Sequence, residues 1–337
     1  TTNTFIATDT AGNTATCSFD VTVNDTEDPV ATCPADITVS NDAGVCGAAV
    51  TYVVTTSDNC PGETVVQTAG LPSGSEFPVG TTTNTFVVTD ASGNTATCSF
   101  DVTVEDNAPP VAVCLNIDVF LDAAGTVSIT AADVDGGSTD ACGIASLAID
   151  IDTFTCDTDL GPNNVVLTVT DVNGNVSTCT AVVTVIDAIP PTIACPADQT
   201  SNTDPGQCSA VVFFPDAIAL DNCTVTVAQT GGLVSGSMFP VGVSTIEYTA
   251  TDSSGNTTVC SFTVTVTDNE SAMAVCMDIT IALDATGNAM ILPGDIDGGS
   301  TDNCGIASIT ATPDTFTCAD VGPNNVILEI TDVNGNV

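Results

Sequence analysis

The sequence predicts an all-β protein made of tandem sandwich domains joined in a linear array. A cysteine-marked segment recurs every 81 residues. Apolar and polar residues alternate within it with the period of a β-strand, and no stretch shows convincing helical periodicity. The recurring segment reads TDTAGNTATCSFDVTV at 8–23, TDASGNTATCSFDVTV at 89–104, TDVNGNVSTCTAVVTV at 170–185 and TDSSGNTTVCSFTVTV at 251–266.

The cysteines measure the length of the repeat. Two series advance in steps of 81: Cys17, Cys98, Cys179 and Cys260, and Cys33, Cys114, Cys195 and Cys276. A third series advances in steps of 82, 81 and 81: Cys60, Cys142, Cys223 and Cys304. A fourth cysteine alternates between an early position (Cys46, Cys208) and a late one (Cys156, Cys318). The pattern therefore indicates two alternating repeat types, A and B, each large enough to fold as a disulfide-stapled domain.

Short acidic segments, often containing proline, separate the repeats and predict their boundaries. Residues 1–27 read as the C-terminal part of an A-type domain. Four further domains follow: A-type repeat 1 at 28–108, B-type repeat 2 at 109–189, A-type repeat 3 at 190–270 and a truncated B-type repeat 4 at 271–337. Because the chain starts and stops within repeats, we expect it to be a piece of a longer protein.

Within each repeat the local pattern predicts short strands and tight turns. CSFDVTV places Cys98, Phe100, Val102 and Val104 on one face of a strand, with polar residues on the other. The preceding ASGN offers Gly and Asn for the positive φ angles of a hairpin turn. Several such strands in about 80 residues predict a β-sandwich of the immunoglobulin type.

The charge balance excludes several functions. The chain has 42 acidic residues and no Lys, Arg or His. It therefore cannot neutralise phosphates, which excludes nucleic acid and anionic membrane surfaces as partners.

Calcium, which prefers carboxylate and carbonyl oxygens, is the cofactor we expect, and no other. We expect no enzyme activity, because no His or Lys can act as a base and the carboxylates recur in every repeat.

The cysteine usage indicates the compartment. The 16 cysteines stand at wide, regular spacings without any His, which favours disulfides over mixed Cys/His zinc sites. Disulfides persist in oxidising compartments. We therefore expect an extracellular, secreted protein of the cell surface.

Acidic residues recur at three positions of the repeat and are candidate calcium ligands. If the three positions share one end of the sandwich, their carboxylates repel one another unless a cation lies among them. The alternative is that aspartate merely suits turns, where it caps its own backbone. The candidates are Asp25, Asp28, Asp106, Asp187 and Asp268 in the linkers, Asp58, Asp140, Asp221 and Asp302 before the third cysteine, and Asp90, Asp171, Asp252 and Asp332 in the final hairpin turn.

Two further segments look like fragments of a calcium loop. DVDGGSTDAC at 133–142 and DIDGGSTDNC at 295–304 place Asp at alternate positions, followed by Gly. The terminal bidentate Glu of an EF-hand is missing from both.

The motifs TCPADITVSNDAGVC, SDNC and FPVGTTTNTFVVTDASGNTATCSFDVTV of repeat 1 resemble a hyalin repeat, or HYR domain, and repeat 3 is similar. Repeats 2 and 4 resemble the variant that accompanies HYR domains in giant surface proteins of Bacteroidota. The resemblance implies extracellular adhesion and matrix modules, in arrays such as the adhesin filaments of gliding bacteria.

The resemblance also implies a disulfide between the first cysteine and the cysteine of the last strand, which are the two that the simplest hyalin repeats keep. These pairs are Cys33–Cys98, Cys114–Cys179 and Cys195–Cys260. The remaining cysteines then pair as Cys46–Cys60, Cys142–Cys156, Cys208–Cys223 and Cys304–Cys318, which leaves Cys17 and Cys276 unpaired. A rival scheme joins Cys33 to Cys60 and Cys46 to Cys98. Bridged Cα atoms lie within about 7 Å, so the first scheme requires the segment between Cys46 and Cys60 to double back.

We therefore expect a structural stalk or filament segment of a large secreted adhesin. Its partners would be the neighbouring repeats of the same chain, with glycans or surfaces bound through other regions. One alternative is that some repeats are themselves glycan- or surface-binding modules. Another is that the array is a non-catalytic spacer of a secreted enzyme.

Overall fold

A computed structural model describes all residues from 1 to 337. The chain divides into two compact units. The first contains Thr1–Ile117, Ile129–Asp152 and Asn163–Val183, and the second contains Asp118–Ser128, Thr153–Pro162 and Thr184–Val337. Because this division cuts through repeat 2, the repeat boundaries given above remain predictions. None of the helices has the length and apolar character needed to cross a membrane.

Strands dominate every part of the chain. Residues 1–27 form the hairpin β1 (Thr2–Thr8) and β2 (Thr14–Asp20). Repeat 1 contains β3 (Val30–Thr32), β4 (Ile37–Ser40), β5 (Gly47–Ala49), β6 (Thr55–Ser57), β7 (Thr64–Ala69), β8 (Glu76–Pro78), β9 (Gly80–Thr89) and β10 (Thr95–Glu105). Repeat 2 contains β11 (Ile117–Phe120), β12 (Thr126–Ser128), β13 (Ile144–Ile149), β14 (Thr153–Thr155), β15 (Gly161–Asp171) and β16 (Val176–Ile186).

Repeat 3 follows the plan of repeat 1, whereas repeat 4 has fewer strands and a short helix. Repeat 3 contains β17 (Thr192–Ala194), β18 (Gln199–Asn202), β19 (Ser209–Val211), β20 (Ile218–Leu220), β21 (Val225–Gly231), β22 (Met238–Pro240), β23 (Gly242–Asp252) and β24 (Thr257–Thr267). Repeat 4 contains β25 (Asn288–Met290), the short helix α1 (Pro293–Ile296), β26 (Ile306–Thr312), β27 (Thr315–Thr317), a 3₁₀ turn at Cys318–Asp320 and β28 (Ile327–Asp332).

Repeat 1 is a sandwich in which β10 is a central strand. β10 pairs antiparallel with β9 and parallel with β4, in the four-stranded order β4-β10-β9-β7. The short pairs β3–β6 and β5–β8 make up its other strands. Phe77 of β8 packs with Phe86 of β9 and with Phe100, Val102 and Val104 of β10 in one buried cluster. The predicted alternation of β10 is therefore confirmed, and so is the all-β fold class.

Repeat 3 reproduces this sandwich. Its four-stranded sheet has the order β18-β24-β23-β21, and its short pairs are β17–β20 and β19–β22. Phe239 and Val212 pack against Ile246, Tyr248 and Phe262 across the two layers. In repeat 4, β26 pairs with β28 and β25 with β27 around a smaller buried cluster that includes Ile291, Phe316 and Ile330.

In repeat 2, β13 pairs with β15 and β12 pairs with β14, both antiparallel. Phe154 of β14, Leu167 of β15 and Ala181 of β16 are each almost fully buried. The inward residues of β15 and β16 alternate with half-buried or exposed ones, as a sandwich strand requires.

The turn before β10 takes its positive φ angle from glycine alone. Gly93 has a φ of 97°, and no residue other than glycine has a positive φ anywhere in the chain. The expectation that Asn shares this role is therefore wrong for Asn94. Its side chain forms hydrogen bonds instead, as described below.

Three disulfides lie within repeats and are the predicted pairs. Cys33–Cys98, Cys114–Cys179 and Cys195–Cys260 have Cα–Cα distances of 5.7, 5.8 and 5.8 Å. In repeat 1 the parallel pairing of β4 with β10 brings the first strands beside the last, which makes this bridge geometrically available.

Three other disulfides join different repeats. Cys46 is bonded to Cys142, Cys156 to Cys223 and Cys208 to Cys304. The predicted pairs Cys46–Cys60, Cys142–Cys156, Cys208–Cys223 and Cys304–Cys318 are therefore wrong, and so is the rival scheme with Cys33–Cys60 and Cys46–Cys98. Four cysteines are free and exposed: Cys17, Cys60, Cys276 and Cys318.

The predicted intra-repeat pair fails because Cys46 and Cys60 lie at opposite ends of repeat 1. Cys46 closes a turn in which the Asn41 N–H donates to the carbonyl of Glu105, the last residue of β10. Cys60 lies beside Asp25, near the turn that begins β10. A strand of 11 residues spans roughly 35 Å, far beyond the reach of a disulfide.

The early and late positions of the fourth cysteine lie in corresponding turns at the same end of the repeat. In repeat 2 the N–H of the late Cys156 donates to the carbonyl of Gly125, in the turn that corresponds to the one closed by Cys46. The fourth cysteine therefore alternates in its position along the sequence but not in its position in the fold. Both types place this cysteine at the end of the repeat that faces the next one.

Candidate metal centre

The hairpin turn before the last strand of each repeat is organised by its aspartate. The Asp171 Oδ1 accepts the backbone N–H groups of Asn173 (2.9 Å) and Asn175 (2.8 Å), and its Oδ2 accepts the Asn175 side-chain amide (2.8 Å). This is the turn chemistry considered as the alternative to calcium. Asp90, Asp252 and Asp332 make the same bonds in their own turns.

These hydrogen bonds also lower the pKa values of hairpin aspartates. Burial acts to raise the pKa of Asp171, but the side-chain and backbone hydrogen bonds from Asn175 and the neighbouring N–H groups together lower it below its ordinary value. The pKa values of Asp90 and Asp332 are lowered for the same reasons. The turns of Asp90, Asp171 and Asp332 therefore favour the ionised form of their carboxylates.

The asparagine of the same turn holds the linker that enters the repeat. The Asn175 side-chain amide donates to the backbone carbonyl of Asp106 at 3.0 Å. The corresponding donors are Asn94 to Asp25 (3.4 Å), Asn256 to Asp187 (3.1 Å) and Asn336 to Asp268 (3.1 Å). Each linker aspartate is thus fixed beside the hairpin turn.

The linker aspartate and the aspartate before the third cysteine each satisfy only one oxygen. In repeat 3, Asp187 Oδ1 accepts the Ile189 N–H (3.1 Å) and Asp221 Oδ2 accepts the Cys223 N–H (3.1 Å). Asp187 Oδ2 and Asp221 Oδ1 are buried and have no hydrogen-bond partner. The same holds for Asp25 Oδ2, Asp58 Oδ1, Asp106 Oδ2, Asp268 Oδ2 and Asp302 Oδ1.

A third unsatisfied oxygen occurs in repeats 3 and 4. The Asn222 amide donates to the carbonyl of Asp122 (3.1 Å) and to Asp187 Oδ1 (3.3 Å), while its own Oδ1 is buried without a partner. Asn303 makes the corresponding bonds in repeat 4, and its Oδ1 is likewise unsatisfied. Sequence reasoning missed both asparagines as site residues, although the recurring DNC motif contained them.

These side chains converge at each junction. In repeat 4 one carboxylate oxygen each from Asp268, Asp302 and Asp332 lie within 4.8 Å of one another. The other groups each unite a linker aspartate, an aspartate before the third cysteine and that cysteine: Asp25, Asp58 and Cys60; Asp106, Asp140 and Cys142; Asp187, Asp221 and Cys223. Cys142 and Cys223 are in disulfides, so their sulfurs are not thiolate ligands.

Not every predicted ligand belongs to these groups. Asp28 is exposed, and Asp25 takes the linker position instead. Asp90, Asp171 and Asp252 are committed to their turns and lie outside the groups, whereas Asp332 belongs to one. The linker and pre-cysteine aspartates are the residues that the structure brings together.

The charges in each group have no counter-charge in the protein. With no Lys, Arg or His in the chain, no side chain can form an ion pair with them. Two charged carboxylate oxygens within 4.8 Å of each other repel by roughly 3 kcal/mol or more at an effective dielectric constant of about 20. The arrangement therefore suits a bound cation.

The calcium-loop-like segments are used differently. The Asp135 Oδ1 accepts the N–H (2.9 Å) and hydroxyl (2.6 Å) of Ser138, and Asp133 Oδ2 accepts the N–H and hydroxyl of Thr130. Asp297 and Ser300 repeat the first arrangement. These aspartates cap local turns.

The comparisons with known proteins agree with the repeat pattern. Residues 24–104 and 186–266 match the family model of the HYR domain. Hyalin of Strongylocentrotus purpuratus is 30% identical over 349 residues, covering 99% of this chain and 29% of the relative. Hyalin of Lytechinus variegatus is 30% identical over 357 residues, covering 100% and 66% respectively. The chain thus spans under a third of the first relative and about two thirds of the second.

Other relatives share less. A sushi, von Willebrand factor type A, EGF and pentraxin domain-containing protein of Rattus norvegicus is 40% identical over 86 residues, 25% of this chain and 2% of that protein. Among solved structures, protocadherin gamma B2 extracellular cadherin domains 1–5 are 13% identical with a TM-score of 0.29, covering 80% of this chain and 72% of that one. A score this low carries no inference about function.

None of these named relatives is bacterial, so they do not support the resemblance to surface proteins of Bacteroidota. They do support the hyalin-type reading of the motifs, over nearly the whole chain. The chain therefore contains two segments that match the HYR domain, residues 24–104 and 186–266, and it is similar to hyalin over nearly its whole length.

Proposed function

We propose that this chain is a stalk segment that transmits tension in an extracellular, adhesion-related repeat protein. The observation that carries the proposal is the set of disulfides between repeats, Cys46–Cys142, Cys156–Cys223 and Cys208–Cys304. A binding module needs a stable fold, which the internal bridges already support. Bridges across the three junctions that join repeats 1 to 4 add covalent strength along the array instead.

The six disulfides provide two covalent routes along the chain. One route runs through the linkers and the internal bridges, each of which bypasses 65 residues. The other passes through the three bridges between repeats and avoids the linker peptides. A tensile load is therefore shared, and a break in one linker leaves the repeats connected.

The bridges also limit how far the array can stretch. Each internal bridge shields 65 residues, about 220 Å of extended chain, from force. Taking the bridges between repeats as well, the shortest covalent route from end to end is about one third of the backbone. Such a stalk can lose folded structure under load without a large increase in length.

Single-molecule pulling from both termini tests this proposal. We expect the oxidised chain to reach a final contour length about one third of that of the chemically reduced chain. The Cys33→Ser/Cys98→Ser variant should remain short, because the bridges between repeats still limit extension. Equal contour lengths in the oxidised and reduced states would overturn the proposal.

The alternatives remain predictions. No specific contact in the structure favours glycan or surface binding by the repeats, or a role as the spacer of an enzyme. The filament architecture and the link to gliding motility also remain predictions, since the named relatives are hyalins and a rodent protein.

A further inference from the structure

We propose that the repeat junctions bind calcium ions. The ligands are the linker aspartate, the aspartate before the third cysteine and, in repeats 3 and 4, the asparagine between that aspartate and the cysteine. The proposal does not rest on the mechanical role, because it concerns ligands that are present whether or not the array carries force.

The first argument is the burial of unpaired oxygens. Asp106, Asp187 and Asp268 are each more than nine-tenths buried, yet the Oδ2 of each has no hydrogen-bond partner. Buried carboxylate oxygens normally have partners, and these lie against a second carboxylate. Since the chain has no basic side chain, a cation from solution is the available counter-charge.

The second argument is that hydrogen bonds fix the orientation of the carboxylates whose oxygens are unpaired. The Asp187 backbone carbonyl is held by Asn256, and its Oδ1 accepts the Ile189 N–H. The Asp221 Oδ2 is held by the N–H of Cys223, whose sulfur is bonded to Cys156. The remaining oxygens are therefore fixed in position, which lowers the entropic cost of binding an ion.

The donor set selects the ion. In repeats 2 to 4 all available ligands are oxygens, because the neighbouring cysteines are in disulfides. Atoms up to 4.8 Å apart can share one ion at the 2.3–2.6 Å distances typical of calcium. Calcium tolerates irregular geometry and completes its shell with water, whereas magnesium requires a near-ideal octahedron.

The four junctions differ in their ligands. Repeats 3 and 4 offer Asn222 and Asn303, each with an unsatisfied amide oxygen. In repeat 2 the equivalent residue is Ala141. In repeat 1 it is Asn59, which is exposed and whose amide donates to Glu27 Oε2 at 2.7 Å. The two junctions with the amide oxygen should therefore bind calcium most tightly.

Equilibrium dialysis of the full oxidised chain against calcium tests the proposal. Extracellular modules bind calcium at about 0.1–1 mM, so the titration covers that range at constant ionic strength, with magnesium in a parallel arm. We expect at least two calcium ions per chain and at least tenfold weaker magnesium binding. Calcium binding no stronger than magnesium binding would overturn the proposal.

Two variants with equal charge changes locate the sites. Asp187→Asn/Asp221→Asn should lose one of the tight calcium ions, whereas Asp118→Asn/Asp278→Asn, at exposed positions outside the groups, should lose none. Without calcium the first variant should melt at a higher temperature than the wild type, because the repulsion is removed; with calcium it should melt lower. Full calcium stoichiometry in this variant would overturn the assignment.

A gain of binding provides a test that does not depend on damaging the fold. Ala141→Asn supplies repeat 2 with the amide oxygen that repeats 3 and 4 have. We expect at least a threefold increase in calcium affinity at that junction. No change in affinity would overturn the role given to the amide oxygen.

Discussion

At the scale of single residues, the hairpin asparagines connect parts of the chain that are far apart in sequence. Asn175 bonds both to Asp171 in its own turn and to the backbone of Asp106, 69 residues earlier. One amide therefore closes the turn and anchors the linker. A residue that could be dismissed as generic turn chemistry fixes the junction between repeats.

Replacing this asparagine should destabilise the fold measurably. Asn175→Ala leaves the Asp171 Oδ2 and the Asp106 carbonyl without their donor, which should lower the free energy of unfolding by about 1–3 kcal/mol. Asn173→Ala, two residues earlier in the same turn and exposed, should change it by less than about 0.5 kcal/mol. Urea unfolding of both variants makes the comparison, and equal effects would contradict the assigned role.

A second prediction at the residue scale concerns the loss of folding stability at low pH. The hydroxyl and N–H of Ser138 hold the pKa of Asp135 below its ordinary value of 3.8. A carboxylate whose pKa is lowered on folding contributes stability that is fully present above 3.8 and is lost as the pH falls through the folded pKa. Ser300 acts in the same way on Asp297.

The carboxyl NMR signal of Asp135 should therefore titrate below pH 3.8 in the wild type and move back towards that value in Ser138→Ala. Urea unfolding at about pH 7 and pH 3 should show a smaller acid-induced loss of stability in the variant. Ser300→Ala should leave the Asp135 titration unchanged, which controls for global effects. An unshifted Asp135 in the wild type would contradict the prediction.

At the scale of elements, the disulfide pattern can be read directly by digestion. Cleavage before aspartate places Cys46 in a peptide of residues 42–57, Cys60 in one that begins at 58 and Cys142 in 140–149. Without reduction we expect the Cys46 and Cys142 peptides as one species, because those cysteines lie 4.7 Å apart at their Cα atoms. Mass spectrometry identifies the linked pair. A Cys46 peptide joined to the Cys60 peptide would restore the intra-repeat scheme.

The sequence was sufficient for the fold but not for these cross-links. The alternation of Phe100, Val102 and Val104 predicted a half-buried strand, because strand periodicity is local. The partner of Cys46 depends on which end of the sandwich each loop reaches, and that is set by tertiary structure. The early cysteine of one repeat type and the late cysteine of the other lie at the same end of the sandwich. Their spacing along the sequence does not show this.

The candidate site was predictable to a similar extent. The 81-residue recurrence of Asp106, Asp187 and Asp268 indicated a common role, and the structure places each beside a second carboxylate. The separation of ligands from turn caps could not be predicted, because Asp171 and Asp106 are equally recurrent in sequence. Their hydrogen bonds differ: the turn satisfies both oxygens of Asp171 and leaves one oxygen of Asp106 unpaired.

At the scale of the whole molecule, the charge is all of one sign. The formal net charge is −42, and the absence of Lys, Arg and His means that no salt bridge between side chains can form. In most proteins, added salt weakens surface ion pairs and relieves repulsion at the same time. In this chain only the second effect operates, so the response to salt has a definite sign.

Sodium chloride should therefore stabilise the array. At about 0.01 M salt the Debye length is about 30 Å, and self-repulsion acts across a repeat; at 0.15 M it is about 8 Å. Because folding brings the carboxylates closer together, screening favours the folded state, and the melting temperature should rise with salt at chelated calcium. A melt at about pH 3, where carboxylates begin to take up protons, should depend less on salt. A melting temperature that falls with added sodium chloride at neutral pH would show that attraction, not repulsion, dominates the electrostatics of the folded chain.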